Sequence, residues 1–101
     1  MKVKFLLPAQ LELDDAVDWY THQIPDLGRE FLDELDKVIR RIVLFPESGT
    51  KNEYGLRRCL LSRFPYGVIY NLDEETVVVI AVAHLHREPR YWIERISLPP
   101  H

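Results

Sequence analysis

Two histidines, His84 and His86, stand two residues apart at the end of a long apolar run, with arginines and aromatic rings on either side. Histidine titrates near neutral pH, so either ring can act as an acid or a base. Arg57, Arg58 and Arg63 precede the pair; Arg87, Arg90, Tyr91, Trp92 and Arg95 follow it. Cations interleaved with flat rings bind phosphates and stack on bases. Each feature also has a plainer reading. Histidines at a strand end make hydrogen bonds, and arginines on a strand blunt an exposed edge. Tyr91 and Trp92 can cap a core, and a large aromatic such as Trp92 leans that way. Two histidines lack an obvious third ligand, so no metal site is expected, and nothing implies a cofactor.

The background to these residues is ordinary. The chain has 101 residues, 47% hydrophobic and 29% charged, which is one globular domain spanning 1–101. A domain this small buries only about 60–70% of its unfolded surface, so a permanent partner would help it. The lone cysteine, Cys59, excludes an internal disulfide and a cysteine-built zinc site, and it reads as a buried, inert thiol in a reducing compartment. The apolar stretch near the N-terminus is cut off by Pro8, too short for a secretory signal, and no run approaches transmembrane length. A cytoplasmic protein with no membrane partner is expected.

Net charge is −3, which alone argues against a nucleic-acid binder. Its distribution argues the other way. Residues 1–36 carry nine acids and three bases, whereas residues 37–101 carry seven acids and ten bases, with His84, His86 and His101 in addition. Either the second half bears a basic working face, or two solvated helices happen to be acidic.

The elements that must position these residues can be read from periodicity. Lys2–Leu7 reads as a short edge strand ended by Pro8. A helix fits from about Ala9 to Gln23, with Leu13, Ala16, Val17, Tyr20 and Ile24 on its apolar side and Asp14, Asp15 and Asp18 opposite. Trp19 and Tyr20 near its end are expected in the core or in a partner groove. A second helix starts near Asp26, a good N-cap, with Phe31, Leu35, Val38, Ile42 and Phe45 as its stripe, and Pro46 ends it. The tight link between the two predicts an antiparallel helical hairpin. Residues 47–55 have the composition of a loop. Strands follow at Leu56–Leu61, Tyr66–Leu72 and Glu75–His84, the last a nearly continuous apolar run suited to a central strand buried on both faces. The tail from Glu88 to Ile96 can form one or two helical turns before Pro99-Pro100. The predicted class is α+β, ordered β-α-α-β-β-β, with the hairpin packed on one face of a small, mainly antiparallel sheet and a short C-terminal helix.

Four segments in the second half make this arrangement specific: Gly55-Leu-Arg-Arg-Cys-Leu-Leu, Phe64-Pro-Tyr-Gly-Val-Ile-Tyr, Val77-Val-Val-Ile-Ala-Val-Ala-His and Arg87-Glu-Pro-Arg-Tyr-Trp. With Ala16-Val-Asp-Trp-Tyr and Gly28-Arg-Glu-Phe-Leu-Asp-Glu-Leu before them, the chain resembles RelE/ParE toxins, the protein toxins of bacterial type II toxin–antitoxin pairs, over nearly its whole length. The resemblance implies a plasmid-stabilisation-type toxin that inhibits growth until a cognate antitoxin wraps it. It leaves the target open. ParE-like members bind DNA gyrase and do no chemistry; RelE-like members enter the ribosome and cleave mRNA through the ribose 2′-hydroxyl, without metal.

Cleavage of that kind needs a base for the 2′-hydroxyl, cations for the phosphorane and an acid for the leaving oxygen. By resemblance, Arg58 falls where RelE has one of its basic residues and His84 where it has a lysine. His86 matches the spacing of the YoeB-type catalytic histidine, and Glu53 loosely matches its base. Arg58, His84, His86 and Tyr91 are therefore the catalytic candidates, and Arg57, Arg63, Arg87 and Arg90 the nucleic-acid or target-binding ones. Gly67 departs from the pattern, because the ribonucleases typically have a phosphate-binding arginine there. Losing such a contact costs on the order of 10²–10³ in rate. Arg87, Pro89 and Trp92 form an Arg-x-Pro-x-x-Trp pattern typical of the ParE side. The expectation is thus a gyrase-directed toxin, with a ribosome-dependent endoribonuclease and a non-toxic antitoxin-binding relic as alternatives.

Overall fold

The fold is that of a computed structural model, which describes residues 1–97; Pro99, Pro100 and His101 lie outside the described residues. Strand β1 (Lys2–Phe5) leads into helix α1 (Leu7–Gln23) and helix α2 (Leu27–Leu44). Then come β2 (Thr50–Lys51), β3 (Arg57–Leu60), β4 (Tyr66–Asp73), β5 (Thr76–His84) and a 3₁₀ turn at Ile93–Ser97. The sheet runs β1-β5-β4-β3-β2, antiparallel except where β1 lies parallel to β5. The first strand therefore pairs with the last.

Strand β5 is buried along both faces from Val77 to Ala83, as its unbroken apolar run predicts. Helix α1 buries Ala9, Leu13 and Ala16, and α2 buries Phe31, Leu35, Val38 and Ile42. Tyr20 stacks on Phe31 at 5.4 Å, and Phe64 and Tyr66 pack edge-on around them. Gly28 sets how closely the helices approach, since a Cβ there would lie 1.9 Å from Thr21 Oγ1 and 2.7 Å from the Val17 carbonyl.

The structure corrects the sequence reading at several places. Pro8 does not stand outside α1 but in its first turn, where the missing N–H costs nothing. Asp26 stands at the N-cap of α2 but makes no side-chain capping bond. Ile24 and Phe45, the last members of the two apolar stripes, are 59% and 63% exposed because both follow the helix ends. The 47–55 loop contains the two-residue strand β2. Its entry is fixed by the buried Tyr70, whose hydroxyl donates to the Pro46 carbonyl at 2.7 Å and accepts from the Gly49 N–H at 3.2 Å. The predicted C-terminal turns form, but as a 3₁₀ turn displaced to Ile93–Ser97.

Two carboxylates fasten the layers. Glu34 of α2, nearly buried, accepts from the backbone N–H groups of Ser62 and Arg63 and from the Ser62 hydroxyl. The Ser62 hydrogen bond, helped by the two backbone donors and Arg63, outweighs burial and holds its pKa down at about 2. Glu12 of α1 is the other, and it belongs to the site.

Candidate functional site

Strand β1 stops opposite Val79, so the Ile80–His84 end of β5 is a sheet edge with backbone groups left to satisfy. A bulge adds to this: Ile69 pairs with Ala81 and Tyr70 with Val79, leaving Ile80 without a partner on β4. Side chains close the edge instead. The Val82 N–H donates to Glu12 Oε1 at 3.1 Å, and Arg95 Nη1 donates to the Ile80 carbonyl at 3.2 Å. Arg95 also grips Glu12 with both terminal nitrogens, at 2.6 and 3.2 Å. The Tyr91 hydroxyl donates to the same carboxylate, and Arg87 lies 3.5 Å from it with its guanidinium 3.8 Å above the Tyr91 ring. One helix carboxylate thus ties the free edge of β5 to the C-terminal segment.

This clasp decides what its members can do. Burial first, then the Glu12 hydrogen bond and charge, push the Tyr91 hydroxyl well above its ordinary pKa. It stays protonated across the neutral range, which suits a donor and not a base.

Cross-strand partners share a face, so Tyr66, Val82 and His84 look toward α1 while Gly67, Ile69 and Ala83 line the opposite side. On that opposite side Trp92 is buried, with Tyr54 edge-on to it at 6.2 Å. Five of the eight candidate residues (Arg58, His84, Arg87, Arg90 and Tyr91) border one small cleft of about 110 Å³ with Gly67, Ile69 and Ala83, and two of the five, His84 and Arg87, also line the groove on the α1 side. A larger groove of about 360 Å³ adjoins it between the β2–β3 loop and the C-terminal segment, sharing Arg58, Ile69, Pro89, Arg90 and Trp92. His84 is half-buried; its Nδ1 accepts the His86 backbone N–H at 3.0 Å, and its ring lies 5.0 Å from both Tyr66 and His86. His86 is exposed.

Two candidates lie elsewhere. Arg57 donates to the Glu47 and Gly49 carbonyls at 2.9 Å each and so fastens the β2 loop. Arg63 sits between Glu30 (3.7 Å) and Glu34 (3.5 Å) on the helical side. Arg90 pairs with Glu53 at 3.0 Å and holds a positive φ of 66°. Of the six arginines from Arg57 to Arg95, Arg58 alone makes no ion pair or side-chain hydrogen bond among the described residues. Its stem crosses Gly67, where a Cβ would fall 3.4 Å from Arg58 Cγ and 3.2 Å from Leu60 Cδ2. A side chain at 67 would occupy the ground Arg58 covers.

Residues 3–89 match the family described as ParE toxin of type II toxin-antitoxin system, parDE. The chain belongs to the ParE toxin family. A solved structure, "Chromosomal ParDE TA system from P. aeruginosa", has the same fold at 18% identity, with a TM-score of 0.74 over 85% of this chain and 97% of that one. No curated protein sequence matches. The ParE family assignment agrees with the α+β order. No helix among the described residues is long and apolar enough to cross a membrane, and no group of three or more His, Cys, Asp or Glu among them is placed to hold a metal.

Sequence reasoning missed Glu12. Its partners lie 70 to 83 residues away, and along the sequence it is one more acid close to Asp14 and Asp15. The one available signal was its place four residues before Ala16, on the margin of the apolar stripe.

Proposed function

We propose that this ParE-family chain is the toxin of a type II pair, bound and silenced in the cytoplasm by a co-encoded antitoxin. We propose further that it acts by binding DNA gyrase rather than by cutting RNA. The observation that carries this reading is the shortage of free groups around the cleft. Tyr91 is held by Glu12, Arg87 and Arg95 are committed to the same carboxylate, Arg90 is paired with Glu53, and Gly67 offers no cation. Phosphoryl transfer depends on preorganised cations and a proton donor–acceptor pair aimed at the reacting atoms. A binder needs only shape and charge.

The test is a pair of target assays with the purified chain. Inhibition of supercoiling by gyrase, with no cutting of mRNA in a translating extract, is the expected result. Cuts in the extract with gyrase unaffected would overturn it. One observation favours that second reading: exposed His86 lies beside His84 at the mouth of the cleft that Arg58 borders. Under it, His86→Ala abolishes the cutting. Expression of the chain alone should arrest growth, and the neighbouring small gene should restore it; harmless expression would sink both readings.

A further inference from the structure

The cleft of about 110 Å³ has two walls of different origin. Arg58, Gly67, Ile69 and Ala83 belong to the sheet, whereas the wall from Leu85 to Trp92 belongs to the C-terminal segment. No ladder joins the two. The Leu85 N–H donates to the Pro65 carbonyl at 2.9 Å, the last backbone–backbone hydrogen bond from this segment to a distant part of the chain among the described residues. Beyond it, the N–H groups of Arg87, Tyr91, Ile93 and Arg95 reach only the carbonyl three residues back. Side chains alone dock the segment, and a wall held without backbone pairing is the kind of element that opens before the rest of a fold.

Glu12 carries most of that docking. Arg87, Tyr91 and Arg95 follow one another at four-residue steps, and all three meet its carboxylate, whose side chain is only 14% exposed. The other fastenings are Trp92, buried, and the exposed Arg90–Glu53 pair, of a kind worth little to stability. Arg90 adds a demand of its own. Its φ of 66° lies in the left-handed region, which an arginine keeps only where its surroundings hold it there. Arg87 and Tyr91, the clasp members on either side of it, supply that hold.

We infer that Glu12 is the positioning residue of the target-binding cleft: it lines no part of that cleft, yet from the α1 side of the sheet it holds the cleft's second wall and Arg90 in place. The carboxylate charge is what gathers two guanidinium groups and a hydroxyl at one point. Without the charge the segment spends part of its time undocked, and a target's apparent affinity falls by the fraction of chains that still have a cleft. The proposal rests on the reading of the chain as a binder of gyrase through this cleft.

Two measurements on the full chain test it. Acrylamide quenching of Trp92 fluorescence, in a Trp19→Phe background that removes the other tryptophan, reads whether the segment is docked. Inhibition of gyrase supercoiling, with Trp19 in place, reads the consequence. Glu12→Gln is the main variant, and Arg95→Lys is a milder one that keeps the charge pair should the first not fold. Glu34→Gln is the control, because it weakens the other buried carboxylate, which holds the β3–β4 turn and not the segment. Circular dichroism fixes a temperature at which every variant compared is folded. Glu12→Gln is expected to raise quenching several-fold and the half-inhibitory concentration by about tenfold, the loss for a wall docked about one-tenth of the time. Arg95→Lys should fall between, and Glu34→Gln should match the parent in both.

Parental inhibition by Glu12→Gln would overturn the proposal. So would lost inhibition with Trp92 still shielded, which would make Glu12 a direct contact, or an equal loss in Glu34→Gln, which would reduce the effect to stability. A parent chain that leaves gyrase untouched sinks the gyrase reading alone. Quenching then decides this one, and Trp92 as well shielded in Glu12→Gln as in the parent would overturn it.

Discussion

The Glu12 clasp and the Arg58 groove are both built from arginines and aromatic rings of the same sheet and tail, yet their charges are treated in opposite ways. Around Glu12 two arginines, a tyrosine and a backbone N–H converge on one carboxylate, and Arg95 is only 16% exposed. Around the groove the cations are exposed, and two of them are unpaired among the described residues. Basic character alone therefore says little about function. A cation that has found its counter-charge inside the molecule holds the molecule together, and one that has not is available to something else.

The sharpest way to break this comparison is at Glu12. Glu12→Ala leaves Arg95, Tyr91 and the Val82 N–H without their acceptor, and should cost about 3 kcal/mol, the usual result of removing one partner of a largely buried charge pair. Urea unfolding reads this as a lower midpoint at unchanged slope. A loss below about 1 kcal/mol would mean that water replaces the carboxylate, and the contrast would collapse.

Glu34 gives the next effect, and with it a pH dependence. Its folded pKa of about 2 lies below the ordinary 4.5, so its stabilisation is complete above about pH 4.5 and drains away as pH falls toward 2. Glu34→Gln should cost about 2 kcal/mol at pH 7, the range for hydrogen bonds to a charged group, and the deficit should shrink by pH 3. Thermal melts of both proteins at the two pH values check it; a constant deficit would assign the loss to packing.

The smallest effect is expected at Arg58. Arg58→Gln should change stability by no more than about 0.5 kcal/mol, as befits an exposed side chain without partners among the described residues. Growth arrest on expression should nonetheless weaken. A variant that unfolds readily would place Arg58 with the clasp, through its stem over Gly67.

How much of this was legible depends on the range of the interactions involved. The α+β order and the doubly buried β5 could be read because each is written in local pattern: a continuous apolar run, helical spacing, prolines at the helix boundaries. The ends of elements were harder, since Ile24 and Phe45 fit the helical period but lie one residue past the last turn. The cleft was half legible. Resemblance gathered Arg58, His84, Arg87, Arg90 and Tyr91, and the fold does bring them to one border. It could not tell free cations from committed ones, because Glu12, Glu53, Glu47 and Gly49 take up arginines that come from other elements.

The parallel pairing of β1 with β5 also has a consequence in time. Lys2 finds its partner at Thr76, and Glu12 waits for Arg95, so a chain emerging from the ribosome cannot close its sheet until almost all of it has been made. High contact order of this kind slows folding and leaves the helical hairpin waiting with its apolar face uncovered. During that interval the nascent chain has neither its cleft nor its groove, so whatever either one binds can be engaged only after synthesis ends.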